Sequence, residues 1–215
     1  MVLVGCNTAD GQSVDGAPHA MDATPADAAS GSDVDAFAAS DGGTMPDASL
    51  DATPICEETE DNILGPFYKT GAPERSNLVT TGVDGGDQLR ISGRVLGTSC
   101  APLAGALVDV WQANAEGSYD NTGYTLRGQF HAAADGKYQL DTIIPGRYLN
   151  GATYRPAHIH VRVSADGYPM LTTQLYFKGD PFNATDPFIK DALIMTVNDA
   201  GASKVAAFDF VLAPA

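Results

Sequence analysis

The chain has 215 residues and a formal charge of −15, yet no Lys or Arg precedes Lys69, so the acidity sits mostly in the N-terminal third. From Lys69 onward acidic and basic residues nearly balance, which leaves no clustered basic surface of the kind nucleic acid requires. No apolar run reaches the roughly 18 residues of a spanning helix, and the length suits one ordinary domain plus a tail.

In chain order, "MVLVGC" comes first. Leu3-Val4-Gly5-Cys6 resembles the bacterial lipobox, whose cysteine is lipidated and becomes the mature N-terminus. That implies export and anchoring to the cell envelope through a lipid on Cys6, the membrane being touched in no other way. The charged and long apolar regions that normally precede such a cysteine are missing; either the true start lies upstream or the match is chance. Residues 7–55 are dominated by Ala, Asp, Ser, Gly, Thr and Pro, with Phe37 as the one aromatic. Such a composition buries too little apolar surface to offset chain entropy. It reads as a disordered, self-repelling tether, with an acidic interaction tail as the alternative. Cys56 and Cys100 would pair in an oxidising compartment, closing a loop of about 44 residues; in a reducing one they would be two buried thiols. Neither has CxxC spacing.

The folded domain is expected over 56–215. "QLRISGRVL" alternates, with Leu89, Ile91 and Val95 on one side and Arg90, Ser92 and Arg94 on the other. "ALVDVWQ", "KYQLDTII", "AHIHVRV", "TTQLYFK" and "AAFDFVL" are further short strand candidates, separated by turns such as "ADGK" and "IIPGRY". No amphipathic helix of about 12 residues stands out. The expectation is all-β, an antiparallel β-sandwich or barrel with long loops. "GRVLGTSCAPLAGALVDV…DGKYQL…IPGRY" resembles a prealbumin-type sandwich. Many modules of that type only bind or adhere, so function has to come from the site.

"YRPAHIH" holds half of the four histidines. Side chains alternate along a strand, so His158 and His160 share a face and Ile159 takes the other. A pair on one face can hold a metal, or be two ordinary histidines. "DNILGPFY", "WQANAEGSY", "IIPGRYLN", "YRPAHIH" and "TTQLYFKGDP" decide between these. Together and in this order they resemble the intradiol ring-cleavage dioxygenases, the catechol and protocatechuate dioxygenase family, over roughly residues 61–181. The flanks match the protocatechuate branch most closely.

The resemblance implies a non-haem Fe(III) with Tyr119, Tyr148, His158 and His160 as ligands, plus a solvent hydroxide. Arg155 and Gln174 match residues beside the substrate, and the partners implied are a catechol-type aromatic and O2. Two phenolates are hard, anionic donors that favour ferric iron, and bonding to a trivalent cation deprotonates them at neutral pH. By resemblance, Tyr148 is the ligand that leaves when substrate binds and takes up a phenolic proton. Arg155 stabilises developing negative charge, and Gln174 orients substrate or O2. The product is a muconate-type diacid. After Tyr148, "LNGATY" departs from the bulkier, Trp-containing loop of protocatechuate enzymes, so the substrate-facing wall differs. The long N-terminal helical region through which catechol enzymes dimerise is not present in this sequence; a monomer or another small assembly is expected.

Two rivals remain. A non-catalytic prealbumin-like binding or adhesion module would need no metal. A cupin-type HxH enzyme wants a Glu three or four residues on, where the chain has Ser164 and Ala165. His19 and His131 match nothing and read as surface residues, and Tyr124 is a decoy five residues beyond Tyr119.

Overall fold

A computed structural model describes residues 54–80, 83 and 85–215. The lipobox-like Met1–Cys6, His19 and the tether up to residue 53 lie outside the described residues. Twelve strands form among those described: β1 (Gln88–Gly97), β2 (Leu107–Gln112), β3 (Arg127–His131), β4 (Lys137–Ile143), β5 (Tyr148–Asn150), β6 (Thr153–Arg155), β7 (His158–Ser164), β8 (Leu171–Phe177), β9 (Ile194–Met195), β10 (Asn198–Ala200), β11 (Ser203–Ala207) and β12 (Phe210–Leu212). The only helical segment among them is a single 3-10 turn, Asp191–Leu193.

One sheet runs β3-β2-β7-β8-β9; in the other, β1 is flanked by β4 on one side and by β11 and β12 on the other, with β10 beyond β11. β5 and β6 make a separate hairpin. The expected sandwich is present: Leu89, Ile91 and Val95 of β1 share one buried cluster with Val108 and Val110 of β2 and Ile159, Val161 and Val163 of β7. Each such side chain contributes about 1.5–3 kcal/mol by leaving water. The pairing is not uniformly antiparallel. β11 and β12 run parallel to β1, and β9 parallel to β8, because the chain's last segment returns along β1 in the same direction.

"AAFDFVL", expected as one strand, is split between β11 and β12. Gly93 and Phe208 force the break: a Cβ on Gly93 would lie 1.8 Å from the Phe208 carbonyl oxygen, and Asp209 Oδ1 accepts the Arg94 backbone N–H at 2.7 Å. The described chain then starts as a strap. Cys56 is bonded to Cys100, with Cα atoms 5.2 Å apart, and its N–H donates to Thr98 O. Thr59 exchanges hydrogen bonds with Val211, and Asn62 N–H donates to Thr172 O. The strap thereby crosses from the β12 edge to β8 and delivers residues 63–68 over the outer face of β7.

Candidate metal centre

β7 is buried on both faces. Ile159, Val161 and Val163 fill the sandwich core, while His158 and His160 face outward beneath the strap and are buried there. Register sets their neighbours: Arg127, Trp111, His160 and Gln174 pair in one row across β3, β2, β7 and β8, and His158 pairs with Tyr176. The Trp111 indole stacks on the His160 ring with centroids 4.8 Å apart. On the other side Gly65 approaches so closely that a Cβ there would lie 3.0 Å from His160 Cε1; its φ of +72° is one only glycine adopts freely.

Loops bring the tyrosines. After β2, the Asn114 carbonyl accepts the Gly117 and Gly146 N–H groups, and its side-chain oxygen accepts Ser118 N–H at 2.7 Å. The turn that carries Tyr119 is therefore bound directly to the turn that carries Tyr148. A Cβ on Gly117 would lie 2.1 Å from Arg147 O, and one on Gly146 2.3 Å from Ala115 O. Tyr148 and Arg155 are register partners at the base of the β5–β6 hairpin, so their side chains leave on one face.

The four rings converge. Centroids are 5.7 Å apart for Tyr119–Tyr148, 5.5 Å for Tyr148–His158, 4.8 Å for His158–His160 and 6.1 Å for Tyr119–His160. Tyr119 Oη lies 3.5 Å from His158 Nε2. His158 Nδ1 lies 2.7 Å from Pro156 O. A carbonyl only accepts, so Nδ1 carries the proton and Nε2 presents its lone pair to the centre. Both ring nitrogens of His160 are buried with no hydrogen-bond partner. Buried polar atoms are rarely left so, and a metal ion is a partner of the right kind.

Burial, reinforced by the nearby Arg155, lowers the His158 pKa to about 4; burial and His158 push His160 well below its usual value. Both are thus neutral and able to ligate at physiological pH. Burial, with Tyr148 close by, raises the Tyr119 phenol, so it is a proton carrier until a cation claims its oxygen. No group of three His, Cys, Asp or Glu assembles among the described residues; phenols complete this donor set. Two imidazoles and two phenols fit ferric iron and lack the carboxylate that a ferrous oxygenase site uses.

Arg155 is buried against the centre. Nη1 lies 3.4 Å from both Tyr148 Oη and His158 Nε2. Gln174 Oε1 accepts from Arg155 Nη2 at 2.9 Å and from Tyr176 Oη at 3.0 Å, and its amide donates to Ile63 O at 2.7 Å. His131 is exposed, with Nδ1 2.9 Å from Gly105 O, and Tyr124 Oη donates to Thr70 O at 2.9 Å; neither reaches the centre.

Sequence reasoning missed several residues that shape the site. Phe67 stacks on Tyr119 at 4.2 Å. Arg127, buried, donates to Phe67 O at 2.7 Å and Asp120 O at 3.1 Å, tying that plate to the Tyr119 turn. Asp186 forms a buried ion pair with Arg155 at 2.7 Å. "GPFY" held the signal for Phe67; Arg127 and Asp186 had none in pattern alone.

The family profile described as "Dioxygenase" matches residues 63–214. A chlorocatechol 1,2-dioxygenase of Rhodococcus opacus is 35% identical over 185 residues, 72% of this chain and 72% of that protein. A hydroxyquinol 1,2-dioxygenase of a Rhizobium species is 35% identical over 159 residues, 63% of this chain but 54% of that protein. The chain thus spans only part of its relatives' length. Among solved structures, the dioxygenase domain of a dioxygenase–carbohydrate-binding fusion from Streptomyces sp. SirexAA-E superposes with a TM-score of 0.69 at 46% identity, covering 74% of this chain and all of that one. The two curated relatives are named as chlorocatechol and hydroxyquinol 1,2-dioxygenases, whereas the motif flanks suggested the protocatechuate branch. A match over most of the folded residues, joined to this ring geometry, assigns the chain to the intradiol ring-cleavage dioxygenases.

Proposed function

We propose that Tyr119, Tyr148, His158 and His160 hold Fe(III), and that the domain cleaves a catechol-type ring between its two hydroxylated carbons with O2, giving a muconate-type diacid. One observation carries the reading: two phenols and two imidazoles meet at a point where His160 has no other partner for either ring nitrogen.

Ferric iron held by these four residues would supply the Lewis acidity that makes a catechol ring reactive toward O2. The protein does the rest. Tyr148 stands on a short two-strand hairpin outside both sheets, while Tyr119 is clamped under Phe67. Tyr148 is therefore the ligand that yields, and its phenolate oxygen takes a proton from the incoming hydroxyl. Arg155 Nη1, 3.4 Å from that oxygen, receives the displaced phenol and faces the charge that develops on the ring. Gln174 has both ends engaged within the protein, so it serves by fixing Arg155 and the Ile63 carbonyl rather than by handling O2. Gly65, Phe67 and Trp111 exclude water around His160 and Tyr119.

The substrates in the relatives' names, chlorocatechol and hydroxyquinol, together with catechol as the parent ring, define the panel for testing. Purified protein should contain one equivalent of iron, show a red-brown phenolate-to-iron band and consume O2 with at least one of these. A colourless protein with full iron would remove the tyrosine ligands from the assignment.

We also propose that the domain works after export, tethered by residues 7–55 to a lipid on Cys6. The lipobox-like Leu3–Cys6 and the Cys56–Cys100 bond support this. Mass spectrometry of the native N-terminus tests it, and an unmodified Cys6 thiol would end it.

A further inference from the structure

"KGDP", which follows β8, has no part in the chemistry above. The loop it opens carries two buried carboxylates. Asp180 Oδ2 accepts from Arg147 Nε at 2.8 Å and from the Ala157 N–H at 3.1 Å. Asp186 Oδ2 accepts from Arg155 Nε at 2.7 Å, and its Oδ1 accepts from Arg155 Nη2 at 3.4 Å and from the Phe188 N–H at 2.7 Å. The Phe188 ring lies against the same guanidinium, 4.9 Å from Cζ to centroid. Nη2 also donates to Gln174 Oε1 and to Tyr176 Oη at 3.1 Å. Two of the three guanidinium nitrogens are consumed in this way, and only Nη1 remains turned toward Tyr148 and His158.

We infer that Asp186 is a positioning residue for ring cleavage: its buried carboxylate holds the Arg155 fork so that Nη1 alone faces the Tyr148 hydroxyl and the reacting ring. This rests on the dioxygenase reading above. Charge points the same way. Arg155 and both imidazoles surround a site whose donor set suits a trivalent cation. An unpaired guanidinium there would be repelled by the metal and would turn toward solvent or another acceptor. Asp186 offsets that repulsion from the far side, leaving Arg155 close enough to act while adding no net charge. A carboxylate whose only task was to neutralise a buried arginine would give the same ion pair, so the test must separate placement from stability.

Asp186→Asn and Asp186→Glu are compared on the iron-loaded protein, each alone and combined with Arg155→Ala, with the exposed Thr185→Ala as a control for loosening the loop. Four readouts are taken: iron content with the visible band, catechol affinity without O2, kcat, and the melting temperature of iron-stripped protein. The single Asp186 variants should keep the iron and the band, bind catechol within about threefold of the parent, and lose about tenfold or more in kcat, the scale of a misplaced group. In the Arg155→Ala background the same changes should alter kcat by less than about twofold, because Asp186 acts through Arg155. The melting temperature should fall for Asp186→Asn alone and not in that background. Thr185→Ala should match the parent. Parental kcat in both single variants overturns the inference, and so does an undiminished loss when Arg155 is already gone. If Asp186→Asn does not accumulate as folded protein, Asp186→Glu decides by itself: it keeps the charge but displaces the carboxylate. A parent that binds iron yet cleaves no catechol refutes the dioxygenase reading first, and this inference with it.

Discussion

The two halves of the proposed ligand set are built differently. His158 and His160 stand on β7, a central strand whose register with β2 and β8 fixes every neighbour. The imidazoles are therefore positioned by the pairing of the sheet itself. Tyr119 and Tyr148 come from two turns that meet through Asn114 and the glycines at 117 and 146, and the phenols converge only if those turns dock. In the proposed site the strand half would supply permanence, and the loop half a ligand that can leave. Tyr148, on the isolated hairpin, is the extreme of the second kind.

The comparison can be broken at either half. Removing a strand ligand should have the largest effect: His160→Ala should abolish stoichiometric iron binding and the visible band, checked by elemental analysis and absorption. Tyr148→Phe should instead retain most of the iron while kcat falls by about two orders of magnitude or more, the usual loss for a proton-accepting group; an iron loss matching the activity loss would make Tyr148 a structural ligand. pH sharpens the strand half. The His158 pKa is about 4 when folded against a usual 6.5, so between those values the unfolded chain binds more protons. Iron-stripped protein should thus lose stability as pH falls from about 6.5 to about 4, by roughly 3 kcal/mol for this histidine, with His160 adding in the same direction. Chemical denaturation across that window measures it. Gly117→Ala tests the loop half. Its φ of +83° and the Arg147 carbonyl oppose a Cβ, so stability should fall by roughly 1–3 kcal/mol. The visible band should shift as Tyr119 moves, with iron still bound.

How much of this the sequence disclosed follows the same division. β1, β2, β4, β7 and β8 were legible because each buries every second residue in the core. β3 was not: "RGQFH" opens with an arginine, and Arg127 is buried only because the carbonyls of Phe67 and Asp120 come to meet it. The histidine pair and the two tyrosines were legible as motifs, since each sits beside residues its turn or strand demands. Asp186 was not, for it lies 31 residues from Arg155 in a loop whose polar composition is ordinary. Gln174 was legible as a motif residue, but its bonds to Ile63, Arg155 and Tyr176 exist only in three dimensions.

The strap carries a consequence of another kind. Its outer end is the Cys56–Cys100 disulfide, and further along Gly65 roofs His160 while the Ile63 carbonyl engages Gln174. Electron balance at two sulfur atoms therefore bears on how firmly the roof is seated, although no sulfur comes near the ligands. A chain maturing where thiols stay reduced would close its roof by hydrogen bonds alone. Formed in an oxidising compartment, the bond would add a covalent hold to a roof that hydrogen bonds already close.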